Sequence, residues 1–394
     1  MRRCAEIFSR LRDCGPCFLA WLGPDLVVGR LGAPPPLTSW ADVAALVRSA
    51  PPPLAPGIPG HVGYFSYEAG RWTHPIATRT SAPADAFLAP CLGGVTFAPG
   101  GVARSWGEGV EAPAPAVLLP QPHGRPPEWS SPAAYEQSVR IALNHIREGD
   151  CYQVNLARTV TVADPGDPLH AWLRLARTNP ARRAMLLYTG ERTILSNSPE
   201  LLLGARGREL LSVPIKGTRP LAASPLDLLH SPKERAELTM IVDLVRADLA
   251  NVARLGSVHA GPRRVGRVGH LWHAMQRVRA TLDEGFDAVD ALRALFPAGS
   301  VTGAPRVRAT ELIAALEEAP RGAYCGTMGW FGGDGSASWN VAIRTITFTG
   351  NVTRPDLASM HFGSGIVWGS DPVREREETE WKARKILAAL CEAP

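Results

Sequence analysis

Glu200 and Lys216 stand in one short stretch, Ser196 to Pro220, that is apolar between its prolines and is broken by Gly204, Gly207 and Gly217. Such a pattern reads as two strands joined by a turn that sets both side chains facing one space. A lysine on such a strand is at least partly buried. Burial disfavours its ammonium form and yields the neutral amine that a lysine nucleophile needs. A nearby glutamic acid, raised in pKa by the same burial, can protonate a leaving group. A structural Lys–Glu ion pair at a strand edge uses the same residue types, and the types alone leave both readings open.

Other groups further along could serve an anionic, metal-assisted reaction. Glu234 and Glu237 are three apart on an expected helix, hence on one face, and Glu375 and Glu378 repeat that spacing. Facing carboxylate pairs suit a hard divalent cation such as Mg²⁺; taken singly, each pair is an ordinary solvated helix face. The run Phe296 to Pro305 places glycines and Thr302 before a helix start, where free backbone N–H groups and the dipole favour a carboxylate. Tyr324-Cys325-Gly326-Thr327 and Ala342-Ile343-Arg344-Thr345 read as adjacent strands. On them Arg344 can grip a carboxylate through its fork and Tyr324 can hydrogen-bond it. Gly363-Ser364-Gly365-Ile366 reads as a tight backbone turn whose N–H groups serve the same anion. Lys382, four residues after Glu378, shares its helix face and contacts the substrate or balances the glutamates.

The elements that must position these groups come from an ordinary globular composition of 394 residues, 45% hydrophobic and 20% charged. That is enough for one extensive core or two subdomains. The formal net charge of +5 is mild and interspersed, which suits anionic substrates and excludes a nucleic-acid stripe. No run approaches a membrane span, and Met1-Arg2-Arg3 leads into no signal core, so a cytoplasmic enzyme without membrane contact is expected. Seven cysteines, an odd number, argue against a disulfide framework. Cys14-Gly15-Pro16-Cys17 has thioredoxin-type spacing, but the apolar Phe18–Leu22 run after it reads as a strand where that site needs a helix. Cys91-Leu92-Gly93 faintly matches a glutaminase nucleophile turn, yet Ala89 stands where glycine is wanted, so no glutaminase is expected.

Residues 1–125 alternate short apolar runs with breaks such as Pro34-Pro35-Pro36 and Pro51-Pro52-Pro53, and read as a strand-rich N-terminal subdomain; 126–394 is the expected catalytic domain. The Gly-, Pro- and Ala-rich stretch from about 98 to 131 reads as a surface connection. Ser131-Pro132 then starts a helix on which Tyr135, Val139, Ala142, Leu143 and Ile146 recur; it ends near Gly149-Asp150, and Cys151 to Leu156 follows as a strand.

Taken together, Ser196-Asn197-Ser198-Pro199-Glu200 and Pro214-Ile215-Lys216-Gly217-Thr218-Arg219-Pro220 resemble the chorismate-utilising enzymes. Within them the match is to the component I chains of aminodeoxychorismate synthases. Anthranilate synthases are similar but usually carry alanine where this chain has Lys216. The resemblance is dense from about 130 to 390 and thin before it. It implies an α+β chorismate-binding fold, with two antiparallel sheets packed face to face, helices outside and the site in a cleft.

The resemblance also assigns roles. It implies that Lys216 attacks the chorismate ring while Glu200 protonates the departing hydroxyl, after which ammonia displaces the lysine to give 4-amino-4-deoxychorismate, a p-aminobenzoate and folate precursor. Glu234, Glu237, Glu375 and Glu378 match the family's Mg²⁺ glutamates. His273 lines the pocket as a possible base, ahead of His270; Thr302, Gly303, Tyr324, Arg344, Gly363, Ser364, Gly365 and Lys382 hold the substrate. Because no glutaminase is expected in the chain, ammonia should come from a glutamine amidotransferase subunit. Departures are Ala247 for a usual asparagine, Arg306 for a lysine, and Gln276 and Ala280 for a serine and a glycine. No match to the relatives' tryptophan-site motif is found, which leaves such a site open. Competing readings are an anthranilate synthase component I, an isochorismate or salicylate synthase that uses water, and a silent chorismate-binding regulator that would lack one of these groups.

Overall fold

The computed structural model describes residues 1–49, 58–76, 85–99, 102–108, 110, 124–269 and 271–391. The Pro51-Pro52-Pro53 break, much of the 98–131 connection and His270 lie outside the described residues.

Strands whose side chains alternate between two apolar faces build two antiparallel layers. In one, the pairing runs through Asp25–Leu31, Cys17–Leu22, Met185–Tyr188, Thr193–Ser196, Thr345–Gly350, Pro355–Ile366 and Gln153–Ala163. In the other it runs through Pro59–Phe65, Thr327–Gly332, Ala337–Asn340, Leu201–Arg206, Glu209–Val213 and Val278–Thr281. The long strand Ala86–Phe97 belongs to both, pairing with Pro59–Phe65 by its first half and with Asp25–Leu31 by its second. Strands from before residue 125 are therefore hydrogen-bonded directly to strands from after it.

Three apolar clusters fix the layer order. Phe18, Val27, Leu187 and Ile194 of the first sheet meet Val62, Tyr64 and Met328 of the second, forming the core between the sheets. The first sheet's other face packs on helices Arg2–Arg12, Pro168–Thr178 and Pro372–Cys391 through residues such as Phe8, Trp172 and Ile386. On the second sheet, Trp339, Leu203 and Leu210 share a cluster with Leu238, Leu292 and Ile313 from helices Pro232–Ala250, Ala288–Leu295 and Arg306–Leu316. Helices thus cover both outer faces, as the α+β expectation required. A third, small sheet of Ile215–Pro220, Leu271–Met275 and Arg264–Val268 stands apart from the two layers.

The helix starts are legible in their caps. Ser131 accepts from the Ala134 N–H with Pro132 in the first turn, and Ser231 accepts from the Glu234 N–H with Pro232 behind it. Phe18 to Leu22 is a strand, with Cys17 buried and Cys14 exposed, both free thiols. Cys91 lies in mid-strand, its thiol pushed up by burial, far from a nucleophile's environment.

One buried ion pair ties the layers together beneath the loop 299–303. Arg321 donates to both Glu317 carboxylate oxygens at 2.9 and 2.6 Å and to the carbonyls of Val301 and Asn155 at 2.8 and 2.7 Å. Glu68 in turn accepts from the Arg321 and Gly322 N–H groups. Removing one partner leaves the other charge uncompensated in the interior. Arg321→Met should therefore cost ~3–5 kcal/mol, read as a lowered urea midpoint. A loss below ~1 kcal/mol would show that water or a rearranged neighbour satisfies Glu317.

Candidate active site

Glu200 and Arg344 are set by the same zipper. Ser196 pairs with Thr345 in the first sheet, and Asn197 N–H donates to the Arg344 carbonyl at 3.1 Å. The Ser198 hydroxyl then donates to the Val341 carbonyl at 2.6 Å, and Val341 N–H to the Glu200 carbonyl at 3.2 Å. This crossover holds Arg344 and Cys325 at φ 54° and 60°, a left-handed conformation that side chains rarely adopt. Strain of that kind persists where surrounding bonds over-determine it, here Asn197 N–H to Arg344 O and Cys325 N–H to Ala342 O.

Glu200 is 4% exposed, and burial raises its pKa from 4.5 to about 7, against the pull of the Ser300 hydroxyl, Lys216 and the Ile215 amide. Arg344 is 9% exposed, and burial lowers it to about 10. No carboxylate pairs with it among the described residues, so a bound carboxylate would supply its missing counter-charge. Its guanidinium donates to His273 Nε2 at 3.4 Å. An arginine only donates, so Nε2 accepts, and the ring proton sits on Nδ1 facing Thr218 Oγ1 at 3.2 Å. His273 is buried, with its Nε2 against the Arg344 guanidinium.

Lys216 comes from the third sheet. The strand Ile215–Pro220 pairs with Leu271–Met275, and its register shifts between Lys216 and Thr218, where Gly217 adopts φ 72°. That bulge re-aims the lysine. A Cβ on Gly217 would also run into the Glu234 carboxylate, so glycine is required twice over. Lys216 Nζ donates to the Ser300 carbonyl at 3.2 Å. Burial lowers its pKa; Glu237, Glu200 and Glu378 pull it up, and Lys382 pushes it down. A lysine whose ammonium is destabilised, beside a glutamic acid that keeps its proton to about pH 7, has the chemistry to serve as a nucleophile and acid pair.

The remaining wall is the end of the strand Pro355–Ile366. The sequence pattern suggested a tight turn at Gly363–Ile366, but these residues are straight strand, paired in unbroken register with Ala157 to Val154. Only alternate N–H groups point into that ladder, since pairing on the strand's other side ends at Met360. The glycines are needed for room: a Cβ on Gly365 would lie 3.2 Å from Lys216 Nζ, and one on Gly363 2.8 Å from the Tyr324 hydroxyl. Ser364 faces the opposite way and bonds Tyr135 at 2.9 Å. Lys382 Nζ donates to the Gly363 carbonyl at 2.8 Å and pairs with Glu378 at 2.7 Å, so it anchors the strand and balances a glutamate. Thr302 is fully buried, its hydroxyl donating to the Ala298 carbonyl at 3.0 Å, while Gly303 pairs with Val154.

Two further corrections concern backbone. Tyr324 and Arg344 do not sit on adjacent strands: the strands that follow them, Thr327–Gly332 and Thr345–Gly350, lie in different sheets, and the irregular segments before them are joined by Cys325 N–H to Ala342 O and Ala342 N–H to Gly326 O. Nor are Glu200 and Lys216 on one hairpin. Leu201–Arg206 and Glu209–Val213 form the hairpin, Glu200 precedes it, and Pro214 breaks the chain out of the sheet before Lys216.

Sequence reasoning missed Gln153. It is 0% exposed, and neither its amide oxygen nor its nitrogen has a hydrogen-bond partner. Its carboxamide carbon lies 3.4 Å from where a Gly365 Cβ would stand, beside Lys216 Nζ. An unsatisfied amide in that place waits for a ligand that both donates and accepts. The available signal was Gln153 and Asn155, two polar residues at alternate positions among the apolar residues that open the strand.

The four glutamates come from two helices, Glu234 and Glu237 from Pro232–Ala250, Glu375 and Glu378 from Pro372–Cys391. Glu237 and Glu378 both act on Lys216, and Glu234 faces Gly217 and pairs with Arg219 at 3.1 Å. Hard carboxylate oxygens on either side of one cleft fit Mg²⁺ by donor chemistry. They are not drawn together, however: among the described residues the one trio with ligand atoms within 4.8 Å is His145, Glu148 and Asp150, whose Asp150 is already held by Arg308.

Comparison with known proteins gives the same family throughout. Residues 34–388 match the model of the chorismate binding enzyme family. The chain is 40% identical over 264 residues to anthranilate synthase component 1 of Haloferax volcanii, covering 65% of this chain and 50% of that protein. It is 38% identical over 264 residues to aminodeoxychorismate synthase component 1 of Bacillus subtilis, covering 65% and 55%. The chain thus spans about half the length of these curated relatives. Anthranilate synthase component I of Streptococcus pneumoniae superposes with a TM-score of 0.78 at 24% identity, over 94% of this chain and 89% of that one, which shows the shared fold. Identity does not separate the two named activities; the residues of the cleft must do so.

Proposed function

We propose that this chain, which belongs to the chorismate binding enzyme family, is the synthase component that aminates chorismate to 4-amino-4-deoxychorismate, with Lys216 as covalent nucleophile. The observation that carries the reading is the partly buried lysine itself, held on its own bulged strand beside Glu200. A direct ammonia attack would need no amine at that place. The anthranilate synthase reading keeps one specific support, since relatives of that name match at similar identity.

In this reading the Lys216 amine adds at C2, the ring π electrons move, and the C4–O bond breaks. Glu200 passes its proton to the departing hydroxyl, which leaves as water. Ammonia then adds at C4 as the lysine leaves C2 as a neutral amine, and the proton lost by the new C4 ammonium returns to Glu200, restoring the diene and the free enzyme. Arg344 holds one substrate carboxylate, and Gln153 meets polar atoms beside the reacting carbons. Glu234, Glu237, Glu375 and Glu378 would hold Mg²⁺, which when bound neutralises charge on a substrate carboxylate. Ammonia comes from a glutamine amidotransferase partner or from solution. No helix among the described residues is long and apolar enough to cross a membrane, in keeping with the proposal of a cytoplasmic biosynthetic role.

The experiment is product identification by chromatography and mass spectrometry after incubating the chain with chorismate, Mg²⁺ and ammonium. Aminodeoxychorismate supports the reading, whereas anthranilate or salicylate refutes it. Within the same assay, Arg344→Lys should raise the chorismate KM about tenfold or more, because a point charge does not reproduce the planar fork. An unchanged KM would remove Arg344 from the carboxylate site.

A further inference from the structure

We propose that the strand edge running from His259 to Val268 is a docking site for an acidic, extended segment of a protein partner, which joins it as a further strand. The proposal does not depend on the amination reading.

Charge is the first observation. The 32 residues from Asn251 to Leu282 hold six arginines and no aspartate or glutamate, against a net +5 for the whole chain, so the remainder of the chain is balanced. The positive charge expected to be interspersed is thus gathered in one segment. Arg263 turns inward to the Leu228 carbonyl, whereas Arg254, Arg264, Arg267, Arg277 and Arg279 are exposed. Among the described residues none of these five pairs with a carboxylate, although Arg219 and Arg246 nearby in sequence do. Scattered charge is enough to guard an edge strand against misassociation, and five unpaired cations of one sign exceed that need.

Pairing is the second. Among the described residues His259 and Ala260 pair only with Arg279 and Val278, Gly261 N–H donates to the Arg277 carbonyl, and Arg264–Val268 pairs only with Leu271–Met275. One side of this stretch carries a ladder, and the other leaves backbone N–H and C=O groups without a neighbouring strand. The register also sets the side chains. His259 opposite Arg279, Gly261 opposite Arg277 and Arg264 opposite Met275 lie on one face. Gly261 has no side chain, and a Cβ there would lie 4.0 Å from the Arg277 Cβ, so Arg277 can reach across it to the edge. Arg277 and Arg279 stand ~7 Å apart along their strand, the same spacing as carboxylates on every second residue of an extended peptide.

Three features favour a protein over a nucleic acid. Leu255, beside Arg254, is 99% exposed and offers an apolar anchor; the Arg254 N–H bonds the Thr281 carbonyl at 2.8 Å, which sets that anchor at the end of the Arg277–Arg279 row. No phenylalanine, tyrosine or tryptophan among the described residues of the segment is exposed, so bases find no stacking platform. An open backbone ladder is completed by another peptide backbone, not by phosphates.

The test uses the full chain and, as probe, a labelled peptide of alternating glutamate and valine, with binding read by fluorescence anisotropy at low ionic strength. Reversing the charge of Arg277→Glu and Arg279→Glu together should weaken binding about tenfold or more. The same peptide methylated on alternate backbone nitrogens keeps its charge but cannot form the ladder, and it too should bind about tenfold more weakly. Hydrogen exchange should slow at outward amides of residues 259–268 when the unmethylated peptide is bound. The methylated comparison needs only the parent chain, so it decides even if the double variant fails to fold. A parent chain that does not bind the peptide, equal binding of both peptides, binding unchanged by charge reversal, or an oligothymidylate of equal charge that binds as tightly overturns the inference.

Discussion

Lys216→Ala should lower the rate of aminodeoxychorismate formation on the order of 10³-fold, with the chorismate KM little changed. The two effects separate because, in the proposed scheme, the lysine forms its bond after binding, whereas Arg344 grips the carboxylate before it. Stability should move the other way. Burial holds the folded-state pKa of Lys216 below its ordinary 10.5, so the unfolded chain binds the extra proton across that window. The lysine therefore weakens the fold at low pH, and the penalty fades as pH rises towards 10.5. Lys216→Met should raise the unfolding midpoint more at pH 6 than at pH 9. A variant that loses activity and also loses stability at both pH values would mark Lys216 as a structural cation.

Glu200→Gln carries the second large effect, an expected loss of 10²–10⁴-fold in kcat, the usual worth of a general acid (~3–5 kcal/mol). Its pH signature is distinctive. With a folded pKa of about 7, Glu200 is protonated below neutrality, so kcat should fall as pH rises above about 7. The glutamine variant should lack that limb. The same shift is a stability term: the folded chain holds the proton more tightly than the unfolded one, so its contribution is full below 4.5 and is lost as pH rises through 7. The loss amounts to about 3 kcal/mol. Glu200→Gln should accordingly be neutral to unfolding at pH 4 and stabilising at pH 8. An unchanged pH–rate profile would mean that another group protonates the leaving hydroxyl.

Much of this site was readable from residue order. Ser196 to Pro220 named Glu200 and Lys216, the Ser131 cap placed the helix Pro132–Arg147, and the three-residue spacing of Glu234 and Glu237 fell on the helix Pro232–Ala250. What the order concealed was how strands are shared. Gly363-Ser364-Gly365 looks like a turn because small residues favour turns, yet the same residues suit a strand on which a Gly365 Cβ would crowd Lys216 Nζ at 3.2 Å. The departure of Lys216 into a third sheet depends on pairing with Leu271–Met275, far away in sequence, and no local pattern encodes such a partner. Gln153 was hidden for a similar reason. A polar residue in a strand is ordinary until three-dimensional packing shows that nothing satisfies it.

The account stands on a covalent bond between Lys216 and the substrate. The direct measurement is to mix the chain with chorismate and Mg²⁺ without ammonia, quench in acid, and map modified peptides by mass spectrometry. The account predicts an adduct of chorismate less water on the peptide carrying Lys216, present in the parent, accumulated when ammonia is withheld and discharged when ammonium is added. An unmodified Lys216 peptide in a chain that still aminates chorismate would contradict it.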